Sequence, residues 1–298
     1  MSTPDPVPSP TTVTLTGTGV PHPSPGRAGA GALVRRGSVA LQFDAGRGTV
    51  IRLAEAGTPP HALTALFVTH VHSDHLTDLA DVVMTRWVQQ QLHRTGPLVV
   101  YAVQGVAERF VRRMLDAYED DIRIRMEHVG SERPGLDVRV FAPPSSPTTV
   151  WVSDDGAVRV EATCVRHDPV PEAVAYRVTT PEGVVVISGD TRVCEEVESF
   201  ATGADVLVHE ACRATAMREL IRGTVFETIF SYHADTVALG ALAQRCGVPH
   251  VVLTHLIPPP ADERESAGFA EDLRAGGYDG RVSVGTDLLT VPVGRASR

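Results

Sequence analysis

The 298-residue chain has no run of about 18 consecutive apolar residues, so it lacks the pattern of a membrane-spanning helix. Residues 1–12 are rich in Pro, Ser and Thr and have neither the basic start nor the apolar centre of a secretory signal. These absences favour a cytoplasmic protein. We expect a disordered segment at 1–12. Because 43% of the residues are apolar, we expect one domain with a full core at 13–298.

Cysteine is scarce, and positive charge is outnumbered by negative charge. The four cysteines lie at positions 164, 194, 212 and 246 and form no CxxC pair, which argues against a cysteine zinc site and against a disulfide framework. The formal net charge of −9 provides no basic field for a nucleic-acid backbone. We therefore expect no stable DNA binding.

Strand and helix patterns alternate in both halves of the chain. Alternating β-branched segments predict strands at 13–18, 32–36, 38–43, 63–69, 98–102, 158–165, 173–179, 183–188, 205–209 and 251–254. Apolar residues at helical spacing predict helices at 76–92, 106–118, 235–246 and near 210–220, the last beginning at Glu210. This alternation predicts an α/β fold in which two sheets pack face to face with helices outside, a four-layer sandwich.

The chemistry is concentrated in the segment HVHSDH at positions 70–75, which directly follows an apolar strand. In an extended segment, residues i and i+2 point the same way, so His70 and His72 can converge on one metal ion. The turn that follows re-aims Asp74 and His75 toward a neighbouring ion. The order of these four side chains therefore indicates a site for two metal ions.

Five further residues are compatible with completing or supporting such a site. Each follows an apolar strand or lies in a loop of small residues: His167, Asp190, Glu210, His233 and His255. A single histidine is more often an ordinary core or surface residue, and an acidic residue at a helix start is favoured by the helix dipole alone. Their combination with the segment 70–75 is what favours a metal site. Asp44 and Thr69 are candidates for orienting the ligand histidines.

With these motifs, the chain resembles the metallo-β-lactamase superfamily and, within it, the ribonuclease Z branch. The likeness runs from TLTGTG at 14–19 through FDAGRGT at 43–49 and HVHSDH to His255. It implies the αββα sandwich, in agreement with the predicted layers. It also implies a ligand set for two ions: His70, His72 and His167 for one, Asp74, His75 and His255 for the other, with Asp190 bridging them.

The resemblance further implies an activity. The chain is expected to be a dinuclear-metal hydrolase, a phosphodiesterase that attacks with a metal-bound hydroxide, with Asp74, His233 and Glu210 as catalytic residues and the last two as the proton-delivery pair. The expected cofactors are two divalent ions, Zn²⁺ in the first place and Mn²⁺ or Fe²⁺ otherwise. The expected substrate is a small anionic ester or an RNA end, and the likeness suggests a homodimer.

Two alternatives and one departure accompany this reading. The same metal centre serves hydrolases of carboxylic esters, lactones, thioesters and aryl sulfates, and a metal-stabilised binding protein is a non-enzymatic alternative. Asp190 follows His167 by only 23 positions. That interval has no room for the long basic arm with which tRNA-processing members grip tRNA, so tRNA processing in the usual mode is not expected.

Overall fold

Fourteen strands form two seven-stranded sheets in residues 10–294, the part of the chain that the computed structural model describes. In chain order the strands are β1 (Thr12–Gly17), β2 (Gly31–Arg36), β3 (Val39–Phe43), β4 (Ala65–Phe67), β5 (Leu98–Val103), β6 (Leu136–Phe141), β7 (Thr148–Val152), β8 (Arg159–Cys164), β9 (Val174–Thr179), β10 (Val184–Ile187), β11 (Val206–Cys212), β12 (His250–Ile257), β13 (Arg281–Val284) and β14 (Thr290–Pro292).

Both sheets mix parallel and antiparallel pairs. The first has the order β14-β1-β2-β3-β4-β5-β6 and the second β13-β12-β11-β10-β9-β8-β7. Strands β3 to β6 are parallel in the first sheet, and β10 to β13 are parallel in the second. The carboxyl ends of four neighbouring strands therefore lie along one edge of each sheet.

Ten α-helices connect the strands in the described residues. They are α1 (Thr49–Glu55), α2 (Ser73–Leu76), α3 (Leu79–His93), α4 (Val106–Arg113), α5 (Glu119–Val129), α6 (Glu195–Ala201), α7 (Ala214–Ile221), α8 (Val225–Ser231), α9 (Thr236–Cys246) and α10 (Glu263–Ala275), with 3₁₀ turns at Pro60–Ala62 and Asp116–Tyr118. Within residues 10–294, no helix is both long and apolar enough to cross a membrane.

Two apolar cores separate the layers. Strand alternation explains them: β11 turns Val206 and Val208 toward the core between the sheets, while Leu207 and Ala211 face the core under α6, α9 and α10. Helices α1, α3 and α4 contribute buried side chains to the first core. The predicted four-layer αββα sandwich is confirmed.

Some predicted boundaries were wrong. The helix expected from Glu210 starts only at Ala214, because β11 continues to Cys212 and pairs Glu210 with Thr254 of the neighbouring strand. This burial between two central strands overrides the helical pattern of the sequence. Of the segment predicted to be disordered at 1–12, residues 1–9 lie outside the described part, and Thr12 already begins β1.

Candidate active site

The candidate site lies where the carboxyl ends of parallel strands from the two sheets meet. Asp190 follows β10, Glu210 lies near the end of β11, and His255 lies near the end of β12. In the facing sheet, β4 leads into the segment 70–75. The parallel pairing of the strands thus brings residues that are distant in sequence to one edge of the sandwich.

A bulge in β12 sets the position of His255. The register runs from Glu210 opposite Thr254 to Ala211 opposite Leu256, which leaves His255 as the extra residue. Its φ of 45° lies in the left-handed region that residues other than glycine rarely adopt. Bulges re-aim side chains next to active sites, and this one places the imidazole in the buried cluster.

Gly189 lets the loop that carries Asp190 approach β4. Its φ is 59°, and a Cβ at this position would lie 2.8 Å from the Cβ of Thr69. Any side chain would therefore push apart the loop and the residue that precedes His70.

One group of potential ligands combines three histidines and a carboxylate: His70, His72, His167 and Asp190, whose ligand atoms lie within 4.8 Å of one another. His167 Nε2 is 3.1 Å from His72 Nδ1. Asp190 Oδ2 is 3.8 Å from His167 Nε2 and 3.9 Å from His70 Nε2. The ring nitrogens thus converge on one small volume.

A second group consists of Asp74, His75 and His255. His255 Nε2 is 3.1 Å from Asp74 Oδ2, and His75 Nε2 is 3.8 Å from the same oxygen. Asp190 reaches this group as well, with Oδ1 3.2 Å from His75 Nε2 and Oδ2 3.3 Å from His255 Nε2. The Asp190 carboxylate therefore lies between the two groups.

These donors fit metal ions better than they fit one another. His70 Nε2 is buried and has no hydrogen-bond partner among the described residues, and His75 Nε2 and Asp190 Oδ1 are buried 3.2 Å apart without the geometry of a hydrogen bond. Leaving such atoms unsatisfied costs free energy that a bound cation would recover. Imidazole nitrogens and carboxylate oxygens are also the donor types that bind Zn²⁺.

Asp44 and Thr69 orient two of the histidine rings through contacts to their Nδ1 atoms. His75 Nδ1–H donates to Asp44 Oδ2 at 2.7 Å, and the Thr69 hydroxyl donates to the same oxygen at 2.7 Å. Thr69 Oγ1 lies 3.0 Å from His70 Nδ1, so this oxygen can accept a hydrogen bond from His70 Nδ1–H. Both rings are thereby held with Nε2 turned toward the cluster.

Burial and neighbouring charges shift the pKa of several groups in opposite directions. Burial raises the pKa of Asp190, but His255 and His75 together lower it well below its ordinary value. Burial lowers the pKa of His70 well below its usual range. Burial also acts to lower the pKa of His75, but Asp190 and Asp44 raise it well above normal. The cluster therefore favours ionised carboxylates.

Glu210 and His233 form a pair beside this cluster. His233 Nδ1–H donates to Glu210 Oε1 at 2.9 Å, and the backbone N–H of Thr191 donates to the same oxygen at 2.9 Å. Burial alone would lower the pKa of His233, but Glu210 raises it to about 9. The His233 ring stacks on that of His255 with centroids 5.4 Å apart. His233 also has a ligand atom within 4.8 Å of Asp190 and His255.

The structure brings together all the residues that the sequence singled out, and their assignment as ligands and catalytic groups stays a prediction. Sequence reasoning missed the carbonyl of Tyr232, which lies 3.3 Å from His167 Nδ1 and carries no side-chain signal. The short interval between His167 and Asp190 is occupied by the β9–β10 hairpin. No long arm is present there.

Comparison with known sequences gives consistent matches. Residues 41–256 match the beta-lactamase superfamily domain. A protein named ribonuclease Z from Mycobacterium bovis (strain BCG / Pasteur 1173P2) is 35% identical over 261 residues, which cover 88% of this chain and 90% of that protein. A ribonuclease Z from Mycobacterium sp. (strain KMS) is 37% identical over 267 residues, covering 88% of each.

Solved structures share the fold at lower sequence identity. The metallo-beta-lactamase fold protein YhfI from Bacillus subtilis superposes with a TM-score of 0.73 at 20% identity, covering 95% of this chain and 99% of that one. The short form of human tRNase Z gives a TM-score of 0.65 at 21% identity with the same coverage. At such identities the likeness concerns the fold alone.

Proposed function

This chain belongs to the β-lactamase superfamily, and we propose that it cleaves phosphodiester bonds of RNA with two zinc ions. It is a metal-dependent hydrolase and a phosphodiesterase. The relatives named ribonuclease Z support RNA as the substrate. The observation that carries the proposal is the Asp190 carboxylate, which lies between two groups of converging ligand atoms.

Seven side chains would hold the ions. His70, His72 and His167 would hold one ion and Asp74, His75 and His255 the other, with the Asp190 carboxylate within reach of both groups. When bound, two such ions supply Lewis-acid polarisation of the scissile phosphate and activate water at neutral pH. The preference for zinc rests on the donor set of five imidazoles and two carboxylates.

His233 supplies the proton that the leaving oxygen needs. Its Nδ1–H is held by Glu210, so Nε2 is the atom that hands over the proton. A pKa of about 9 keeps the ring protonated at neutral pH. Glu210 is in turn fixed by the backbone of Thr191, so it acts as a positioning residue that orients and charges His233.

The test uses the zinc-loaded protein and a panel of substrates. Short RNAs with a 3′ extension and bis(p-nitrophenyl) phosphate should be hydrolysed, whereas a lactone, a thioester and an aryl sulfate should not. A chelator should abolish turnover, and stoichiometric Zn²⁺ should restore it. Hydrolysis of the carboxylic or sulfate esters without cleavage of RNA would replace the proposal with the alternative activity.

The same preparation tests two finer parts of the proposal. Elemental analysis should find two zinc ions per chain, and one ion or none would contradict the dinuclear assignment. A homodimer is also proposed, on the family likeness alone. Sedimentation equilibrium should give twice the mass of the 31.8 kDa chain.

A further inference from the structure

A second cavity opens beside His233, and none of the seven potential metal ligands lines it. It has a volume of about 440 Å³ and lies between α7, α8 and the start of α9. His233 forms part of its wall, together with Arg218, Ile221, Phe230 and Ser231. Small-molecule sites typically have volumes of about 300 to 1,000 Å³, so a single nucleotide unit fits.

The wall of this cavity combines apolar and polar surfaces. Ile221 and Phe230 are buried and form an apolar floor. The Phe226 ring, which is 44% exposed and is not itself among the residues that line the cavity, stands edge-on to Phe230 with centroids 6.1 Å apart. Aromatic side chains of this kind are sequence-tolerant platforms for nucleobases. A nucleoside could therefore place its base over the floor.

Arg218 is the cation of this cavity that is left without a partner. Arg213 pairs with Asp272 and Arg222 pairs with Glu219, but Arg218 forms no ion pair within residues 10–294. It is exposed and lies in the last turn of α7. Since guanidinium groups bind phosphate in a bidentate manner, it is available to an anion.

The two carboxylates of the cavity are already engaged by backbone amides. Asp235 accepts from the N–H of Thr215 at 2.6 Å, and Glu227 accepts from the N–H of Gly223 at 3.0 Å. Their charge is thus partly compensated within the helical segment. The Arg218 charge has no such compensation and faces the space that a ligand would enter.

We infer that this cavity binds the nucleotide on the leaving-group side of the scissile bond, with Arg218 binding the next phosphate along the RNA. The inference rests on the proposed function, because His233 marks the leaving side only if it donates the proton. A group that receives its proton from His233 must lie against His233, and His233 also lines this cavity.

The first test compares Arg218→Ala with the matched control Arg222→Ala in the zinc-loaded protein. Arg222 lies four positions away, is exposed and is paired with Glu219. On RNA, Arg218→Ala should lower kcat/KM about tenfold or more, mainly through KM. On bis(p-nitrophenyl) phosphate, which has no second phosphate for Arg218 to bind, both variants should match the wild type within about twofold.

A chemical substitution in the RNA isolates the phosphate contact. A methylphosphonate one position beyond the scissile phosphate, on the leaving side, removes the charge that Arg218 would bind. The wild type should lose about tenfold in kcat/KM on this RNA, whereas Arg218→Ala should lose nothing further. A merely structural role of Arg218 would leave the penalty the same in both proteins.

The outcomes separate this inference from the proposed function. If the wild type cleaves RNA but Arg218→Ala behaves like Arg222→Ala, the cavity is not the leaving-group site. An equal loss on RNA and on bis(p-nitrophenyl) phosphate also overturns the inference, because it indicates damage to the shared centre. If the zinc-loaded wild type does not cleave RNA at all, the proposed function fails and this inference fails with it.

Discussion

Asp44 shows how one side chain outside the ligand set can control it. Its carboxylate accepts three hydrogen bonds: from the Thr69 backbone N–H, from the Thr69 hydroxyl and from His75 Nδ1–H. Through Thr69 it also acts on His70. The orientation of one ligand ring on each side of the site therefore depends on a single buried carboxylate.

Replacing this carboxylate should weaken metal binding. In Asp44→Asn one of the three donors meets an amide N–H₂ group, so the rings of His75 and His70 lose part of their restraint. We expect zinc affinity to fall about 10- to 100-fold, measured by competition with a chromophoric chelator. The control is Asp78→Asn, which changes a carboxylate that accepts from Val50 N–H outside the site. Unchanged affinity in Asp44→Asn would contradict the positioning role.

His233 and Glu210 carry a prediction about pH. Because Glu210 raises the pKa of His233 to about 9, the acid form predominates at neutral pH, and turnover of substrates with poor leaving groups should fall as pH rises through about 9. Glu210→Gln removes the raising charge, so this falling limb should move to lower pH. His233→Ala should lose about 100-fold on the same substrates while retaining its zinc.

The measurement is kcat between pH 6 and pH 10 on two substrates. Bis(p-nitrophenyl) phosphate has a good leaving group and serves as the control, because its hydrolysis needs no added proton and should lack the falling limb. If Glu210→Gln and the wild type share one pH profile on RNA, Glu210 does not set the charge of His233.

At the scale of elements, the position of the site depends on strand ends and on the loops that follow them. Asp190 reaches both ligand groups because Gly189 lets its loop pass close to Thr69. Two features prevent any residue other than glycine from fitting at position 189. One is the positive φ of Gly189, and the other is the space that Thr69 already fills.

A pair of glycine substitutions separates these two features. Gly37 has a φ of 56° and nothing near its missing Cβ, so Gly37→Ala carries only the cost of the backbone conformation, about 1 to 2 kcal/mol. Gly189→Ala adds a collision with Thr69 and should cost more in thermal unfolding. It should also lower zinc occupancy, which Gly37→Ala should leave unchanged. Equal zinc occupancy would show that the Asp190 loop tolerates the displacement.

How far the sequence predicts the site depends on how local each feature is. The segment 70–75 can be predicted from the sequence because four potential ligands lie at one strand end, where local backbone geometry determines the directions of their side chains. The aim of His255 depends on a bulge in the pairing of β11 with β12, which no local pattern encodes. The sequence likewise predicts a helix from Glu210, because local patterns do not report that pairing with β12 extends β11 to Cys212.

The same limit applies to α7 and α8. Only Ile221 and Phe230 are buried in the two helices, so few of their side chains pack into a core. The sequence indicated a helix near 210–220 but gave no sign of a second one, nor of the cavity that the pair forms with His233. Cavities arise from the relative placement of elements, which single-sequence patterns do not report.

For the whole molecule, the candidate site joins the two sheets. The segment 70–75 follows a strand of the first sheet, whereas His167, Asp190 and His255 come from the second. Ions bound between them would therefore link both halves of the sandwich. The unfolded chain does not bring these ligands together, so it would not bind the ions in this way. Binding to the folded state alone stabilises it in proportion to the logarithm of ligand excess over Kd.

Removal of metal should accordingly lower the unfolding temperature. At a free zinc concentration of about 100 to 1,000 times Kd, linkage contributes roughly 3 to 4 kcal/mol for each ion, which corresponds to a fall of roughly 6 to 16 °C in Tm per ion on chelation. Scanning calorimetry with and without chelator measures the shift. His22→Ala, at an exposed position, should keep the full shift, whereas His167→Ala should show a smaller one because it lacks a ligand. The same Tm with and without chelator in the wild type would mean that no ion joins the two sheets.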